Sequence, residues 1–225
     1  MRGERDPGGP AGPTAIVVSG PAACGKTTFA TALARRLGFA LFDLDQVTGS
    51  LSAAALNLLG EAEHAFDEEG PGKELREARY TSLVDAARAN LSIGWGVVLA
   101  APFTRELADP TAWRNLVGRL VAPATSPGAR MPPVALIYLN CPAPVIFERL
   151  RSRGAARDRL KLEGHGSAQP TGIHAPKVPY VEVDGTLPTL AQVETVVSGL
   201  GLSSEVPAPV GAGASNVTLV AEDAK

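Results

Sequence analysis

Short uninterrupted apolar runs alternate along this chain with stretches whose apolar residues recur at helical spacing. AIVVS (Ala15–Ser19) reads as a buried strand, and Lys26–Leu37 follows it with apolar positions three and four apart. FALFDLD (39–45) predicts a second strand ending in acids, and Glu74–Leu91 an amphipathic helix. GVVLAAP (96–102), VALIYLN (134–140) and VPYVEV (178–183) predict the third, fourth and fifth strands. PVIFERLRSRG (144–154) and LAQVETVVSGL (190–200) predict helices after the last two. Continuous apolar strands separated by helices bury both faces of a sheet, which calls for parallel pairing. The pattern therefore predicts a doubly wound α/β domain on a five-stranded parallel sheet.

The ends of the chain break this rhythm. Residues 1–13 are rich in Gly, Pro and charge and read as a flexible leader, while residues 201–225 are rich in Ala, Gly, Pro and Ser and read as a disordered tail. The expected domain is 14–200. At 225 residues with 45% hydrophobic and 20% charged side chains, the composition is that of one ordinary globular domain. A formal net charge of -2 supplies no global field for nucleic acid or an anionic membrane, and no apolar run approaches a membrane span. Cys24 and Cys141 offer neither a disulfide framework nor metal-ligand spacing, and with no secretory signal the expected location is the cytoplasm.

The sharpest chemical signal is Gly20-Pro-Ala-Ala-Cys-Gly25-Lys26-Thr27-Thr28, a complete G-x-x-x-x-G-K-T phosphate loop between a strand and a helix. The glycines let the backbone curl so that successive N–H groups face phosphate oxygens, and the helix start adds its positive dipole end. Gly20, Ala22, Ala23, Cys24, Gly25, Lys26, Thr27 and Thr28 are the expected nucleotide-binding set. Lys26 is expected to reach the β- and γ-phosphates, and Thr27 to ligate Mg²⁺. Cys24 reads as a small residue that fits the loop; the alternative is a thiol activated by nearby amides. No N-K-x-D tetrapeptide follows, and the third strand ends Leu99-Ala100-Ala101-Pro102 without an acid. Acids instead close the second strand, where alternation along an extended segment predicts Asp43 and Asp45 on one side at the carboxyl edge of the sheet. One carboxylate there suits a Mg²⁺ shell and the other a proton-accepting role. Helix capping at a strand end is the plain structural alternative.

Asp43-x-Asp45-Gln46 after an apolar strand resembles shikimate kinase. The order of segments from Ala15 to Leu200 is similar to gluconate kinase and related small P-loop kinases, chloramphenicol phosphotransferase and zeta toxin among them. The resemblance implies an AAA-type P-loop NTPase domain of the nucleoside-monophosphate-kinase kind, with Mg-ATP as phosphoryl donor. It further implies that Asp43 assists Mg²⁺ and that Asp45 acts as general base. Two departures stand out. Ala100-Ala101-Pro102-Phe103 replaces the glycine stretch of shikimate kinase, and Gln46-Val47-Thr48 stands where gluconate kinases carry a histidine.

Five arginines fall in the eleven residues Arg149–Arg159. By the same resemblance this segment is a lid, with Arg153 and Arg157 clamping the transferring phosphoryl group and Gly154 and Gly164 as hinges. A solvated basic helix face is the alternative. Arg76, Arg79, Tyr80, Thr104 and Arg105 lie where an acceptor would sit, and Arg79 and Arg105 are the expected contacts, together with Asp45. His64, His165 and His174 have no evident metal partners and receive no role. The expected activity is transfer of the γ-phosphoryl group of Mg-ATP to a hydroxyl of a small-molecule acceptor. A nucleotide-binding regulatory module, or a kinase acting on a nucleotide or nucleic-acid end, is the alternative. The sequence does not specify an oligomeric state.

Overall fold

The computed structural model describes residues 14–60, 71–121, 133–154 and 175–202. The leader, most of the tail, the lid segment beyond Gly154 with Arg157, and all three histidines lie outside the described residues.

Five parallel strands form one sheet in the order β2-β3-β1-β4-β5: β1 (Ala15–Ser19), β2 (Ala40–Asp43), β3 (Val97–Ala100), β4 (Val134–Asn140) and β5 (Val181–Asp184). Their period-two alternation sorts the side chains between two cores. Val17, Leu99 and Tyr138 face one layer, where they meet Leu83, Leu107 and Leu120. Ile16, Val18, Val98 and Leu139 face the other, against Phe29, Leu33, Ile146 and Val196. The first layer is built by α3 (Pro71–Ser92), α4 (Thr104–Ala108) and α5 (Pro110–Val121), the second by α1 (Lys26–Leu37), α6 (Ala143–Arg153) and α7 (Thr189–Gly199). Each large side chain buried this way stabilises the fold by roughly 1.5–3 kcal/mol. α2 (Leu44–Leu58) packs on α3 and leaves β2 without a loop between them.

Register decides what meets at the carboxyl edge. Ala100 pairs with Val18 on one side and Asp43 on the other, so β1, β2 and β3 finish level. Ser19 reinforces the edge, donating its hydroxyl to the Pro102 carbonyl at 2.6 Å. Ligands in open α/β sheets bind above this edge, where the chain turns to opposite sides of β1.

The expected strands are all present: β1 and β4 keep their expected bounds, β2 and β3 are shorter at both ends, and β5 begins at Val181 and runs to Asp184. The helix expected at 74–91 runs from Pro71 to Ser92. One expectation is corrected. FALFDLD does not stay extended through Asp45: the strand stops at Asp43, and α2 begins at Leu44. Asp43 itself ends the strand, because its Oδ1 accepts the backbone N–H groups of Asp45 and Gln46 at 3.0 and 3.2 Å. That side-chain cap satisfies two of the donors a helix start leaves open. The short α4 and α5 were not expected either; Asp109 caps the latter by accepting from Thr111 N at 2.8 Å, ahead of Pro110 at the first turn. Among the described residues no helix is long and apolar enough to cross a membrane.

Candidate active site

The phosphate loop is formed by backbone conformations that few side chains permit. Gly20 has φ 146°, and a Cβ there would lie 2.5 Å from the Leu139 carbonyl oxygen. Gly25, with φ 101°, has open space where a Cβ would stand, so its constraint is conformation alone. Ala23 also has positive φ, at 59°. Beyond Gly25, α1 opens with Lys26, Thr27 and Thr28 at its N-terminus.

Lys26 folds across the loop and donates to the carbonyls of Gly20 and Pro21 at 2.9 and 2.6 Å. Thr27 donates its hydroxyl to Asp43 Oδ2 at 2.7 Å. Asp43, buried at the end of β2, thus does two jobs with two oxygens: Oδ1 caps α2, and Oδ2 holds the loop threonine. The capping reading of this acid is met, and its second oxygen is left to the loop threonine. The donor set fits Mg²⁺, since a hydroxyl and a carboxylate are hard oxygen ligands and this ion takes few protein ligands beside water and phosphate. Among the described residues no group of three or more His, Cys, Asp or Glu is arranged to hold a metal on its own.

Cys24 is buried, with its thiol in the core beside the space above Gly20. It shapes the loop from behind, as a small residue would; a reactive, accessible thiol is not what this burial provides. Arg149, expected on a lid, instead braces the loop. Its Nη1 donates to the Cys24 carbonyl at 3.2 Å and its Nη2 to the Gly185 carbonyl at 3.0 Å, joining the phosphate loop to the turn after β5. Its neighbour one turn on, Arg153, ends α6.

A cavity of about 720 Å³ opens over the carboxyl edge. The loop residues Ala22, Ala23 and Gly25–Thr28 line one side, with Arg149 and Arg153 above them. Asp43 and Asp45 lie between, and Arg76, Arg79, Tyr80, Ala100–Pro102 and Thr104 form the far wall. Of the expected nucleotide residues, Gly20 and Cys24 stand behind the lining. Arg105 lies on the exposed side of α4 and does not line the cavity.

Asp45 is placed by helix α2 and by an ion pair. Arg79, buried on α3, donates Nη2 to Asp45 Oδ1 at 2.7 Å and Nε to Thr48 Oγ1 at 2.9 Å. Thr48 in turn donates to the Leu44 carbonyl at 2.6 Å. The network Leu44–Thr48–Arg79–Asp45 ties the first turn of α2 to α3. Thr48 carried no signal in the sequence, because α2 itself was hidden by the apparent continuation of the strand.

Behind the wall stands a residue that carried no signal in the sequence. Phe103 has φ 44° and is fully buried, with its ring edge-on to Tyr80 at 5.5 Å between centroids. Burial holds it in a conformation a bulky residue rarely adopts. Burial also pushes the Tyr80 phenol up to about 12, against the opposing pull of Arg76 and of the Phe103 backbone, so Tyr80 is neutral at physiological pH. Arg76 donates Nη2 to Thr104 Oγ1 at 3.0 Å. The available signal for it was spacing, since residues 76, 79 and 80 share one face of α3.

Residues 16–167 match the family AAA_33, described as AAA domain. Several solved kinases share the fold. The APS kinase CysC of Mycobacterium tuberculosis, in complex with AMPPNP and APS, is 16% identical with a TM-score of 0.56, covering 85% of this chain and 99% of that one. A sugar kinase from Janibacter sp. HTCC2649 is 20% identical with a TM-score of 0.55, over 85% of this chain and 96% of its own. Among curated proteins, the tRNA dimethylallyltransferase of Anaeromyxobacter sp. (strain Fw109-5) is 29% identical over 177 residues, 71% of this chain and 58% of that protein. The corresponding protein of Anaeromyxobacter sp. (strain K) is 37% identical over 93 residues, 38% of this chain and 30% of its own length. The chain therefore spans less than two thirds of the length of these curated relatives.

Proposed function

The chain belongs to the AAA_33 family of AAA domains, and from that premise we propose that it is an ATP-dependent phosphotransferase acting on a hydroxyl of a small molecule. The observation that carries this reading is a single cavity lined at one end by a complete phosphate loop and at the other by the Asp45–Arg79 pair. A nucleotide switch needs the first end only.

Lys26 and the loop amides bind the β- and γ-phosphates, and Lys26 exchanges its two carbonyl partners for phosphate oxygens. Thr27 and Asp43 would hold Mg²⁺, which when bound neutralises charge on the phosphate oxygens. The acceptor hydroxyl lies against Asp45. As its oxygen bonds to the γ-phosphorus and the bond from that phosphorus to ADP breaks, its proton passes to the Asp45 carboxylate. Arg79 orients that carboxylate from below. Arg153 balances the charge of the transferring group, a role the family resemblance extends to Arg157, while Arg149 keeps the loop in register with the turn after β5.

The test is ADP release from Mg-ATP across sugars, sugar acids, cyclic polyols, nucleosides and hydroxylated antibiotics. Strong stimulation by one class is expected. A flat response with ATP bound favours a regulatory module instead.

A second reading comes from the curated relatives, whose name denotes transfer of a dimethylallyl group to tRNA. The formal charge of -2 argues against it, since affinity for nucleic acid rests largely on cationic side chains. Dimethylallylation of tRNA by the purified chain, without ATP cleavage, would establish it over the kinase.

A further inference from the structure

Among the described residues, the far wall of the cavity contains one cation whose hydrogen-bond partner is neutral. Among the described residues two carboxylates line the cavity, and both are engaged: Asp43 by Thr27 and the start of α2, Asp45 by Arg79. Arg79 is buried beneath Asp45 and fastened at two nitrogens, so it serves the protein's own acid. Arg149 is fastened to loop and turn carbonyls on the nucleotide side. Arg76 differs from both. It lines the cavity, is only partly buried, and makes its hydrogen bond to the Thr104 hydroxyl. Glu106, in the first turn of α4, acts electrostatically on Tyr80 but does not line the cavity.

Among the described residues, the rest of that wall contributes no charged partner for a cation. Ala100, Ala101 and Pro102 present apolar side chains, and Pro102 has no backbone N–H. Tyr80 is neutral, and its phenol is engaged with the Phe103 backbone. A guanidinium carries five N–H donors in a planar fork, and Thr104 accepts one of them. The fork is matched in shape and charge by a carboxylate or a phosphate.

We propose that Arg76, steadied by Thr104, is the specificity-determining contact for an acidic group on the acceptor, so that the substrate is a hydroxylated carboxylate or phosphate ester rather than a neutral alcohol. This inference rests on the phosphotransferase reading. The acceptor lies with its acid on Arg76, its hydroxyl at Asp45 and an apolar face on Ala101 and Pro102. Arg79 positions Asp45 and leaves recognition of the acid to Arg76.

Matched probes separate the possibilities. Protein saturated with Mg-AMPPNP is titrated calorimetrically with D-gluconate against D-glucitol, and with sn-glycerol 3-phosphate against glycerol. One acid is expected to bind at least about tenfold tighter than its neutral counterpart, in keeping with a charge-assisted hydrogen bond. The pair that shows the preference identifies carboxylate or phosphate. R76A should reduce that acid to the level of its neutral counterpart and R76K should restore part of the difference, with AMPPNP binding serving as the check on folding. Equal binding of acids and neutral probes, binding of neither acid, or an acid preference that survives in R76A each overturns the inference alone. Failure of the wild-type chain to bind Mg-AMPPNP overturns the phosphotransferase reading and this inference with it.

Discussion

The two ends of the cavity are built on different principles. At the phosphate end the working groups belong to eight consecutive residues, Gly20–Thr27, and most of them are backbone atoms held in place by two glycines and a helix start. At the acceptor end they are side chains from separate elements. Asp45 and Thr48 come from α2, Arg76, Arg79 and Tyr80 from α3, and Thr104 from α4. The first end recognises a group common to every nucleotide, so one local conformation suffices. The second must distinguish one small molecule from others, and tertiary assembly lets each contact vary by itself.

The largest effect expected from breaking this contrast lies at the phosphate end. Lys26→Ala should lower kcat/KM for ATP by on the order of 10²-fold or more, because it removes the phosphate loop's own cation from the β- and γ-phosphates. Steady-state ADP release measures it, and near wild-type turnover would remove the loop from the mechanism. Gly20→Ala attacks the same end through conformation. Its positive φ and the 2.5 Å approach to Leu139 O should destabilise the fold by at least about 1–3 kcal/mol, read as a lower midpoint in urea with unchanged slope. An unchanged midpoint would mean that the loop tolerates a side chain there.

Smaller and more selective changes are expected at the acceptor end. Arg79→Ala removes the donor to Thr48 and the partner of Asp45. Thr48 is buried, whereas the Asp45 side chain is 61% exposed and regains water, so a loss of only about 1 kcal/mol is expected. The sharper readout is a split: KM for the acceptor and kcat should change while KM for ATP stays. A parallel change in both KM values would show that the two ends are not separable.

The same difference explains what was legible in the sequence. The phosphate loop and the strands around it announce themselves locally, through glycine spacing and continuous apolar runs such as Val97–Ala100. The turn from β2 into α2 does not. Phe42-Asp43-Leu44-Asp45 alternates as a strand does, and only the Asp43 carboxylate accepting two backbone N–H groups converts it to a helix cap. Once α2 is missed, Thr48 has no face and Asp45 no partner. Arg149 looked like its neighbours in a basic run, yet three-dimensional packing places it on the loop carbonyls of Ala23 and Cys24. Arg79 lies on the cavity wall as expected and Arg105 does not, since α4 turns Arg105 outward while α3 presents residues 76, 79 and 80 together.

The central claim is that Asp45 takes the acceptor's proton in a cavity shared with the nucleotide, and Asp45→Asn tests it most directly. The substitution keeps size and shape, and its amide oxygen can still accept from Arg79. The account predicts nucleotide affinity close to wild type by calorimetric titration with Mg-AMPPNP, together with a loss of about 10²-fold or more in acceptor-stimulated ADP release. Turnover close to wild type in a variant that binds nucleotide normally would contradict it.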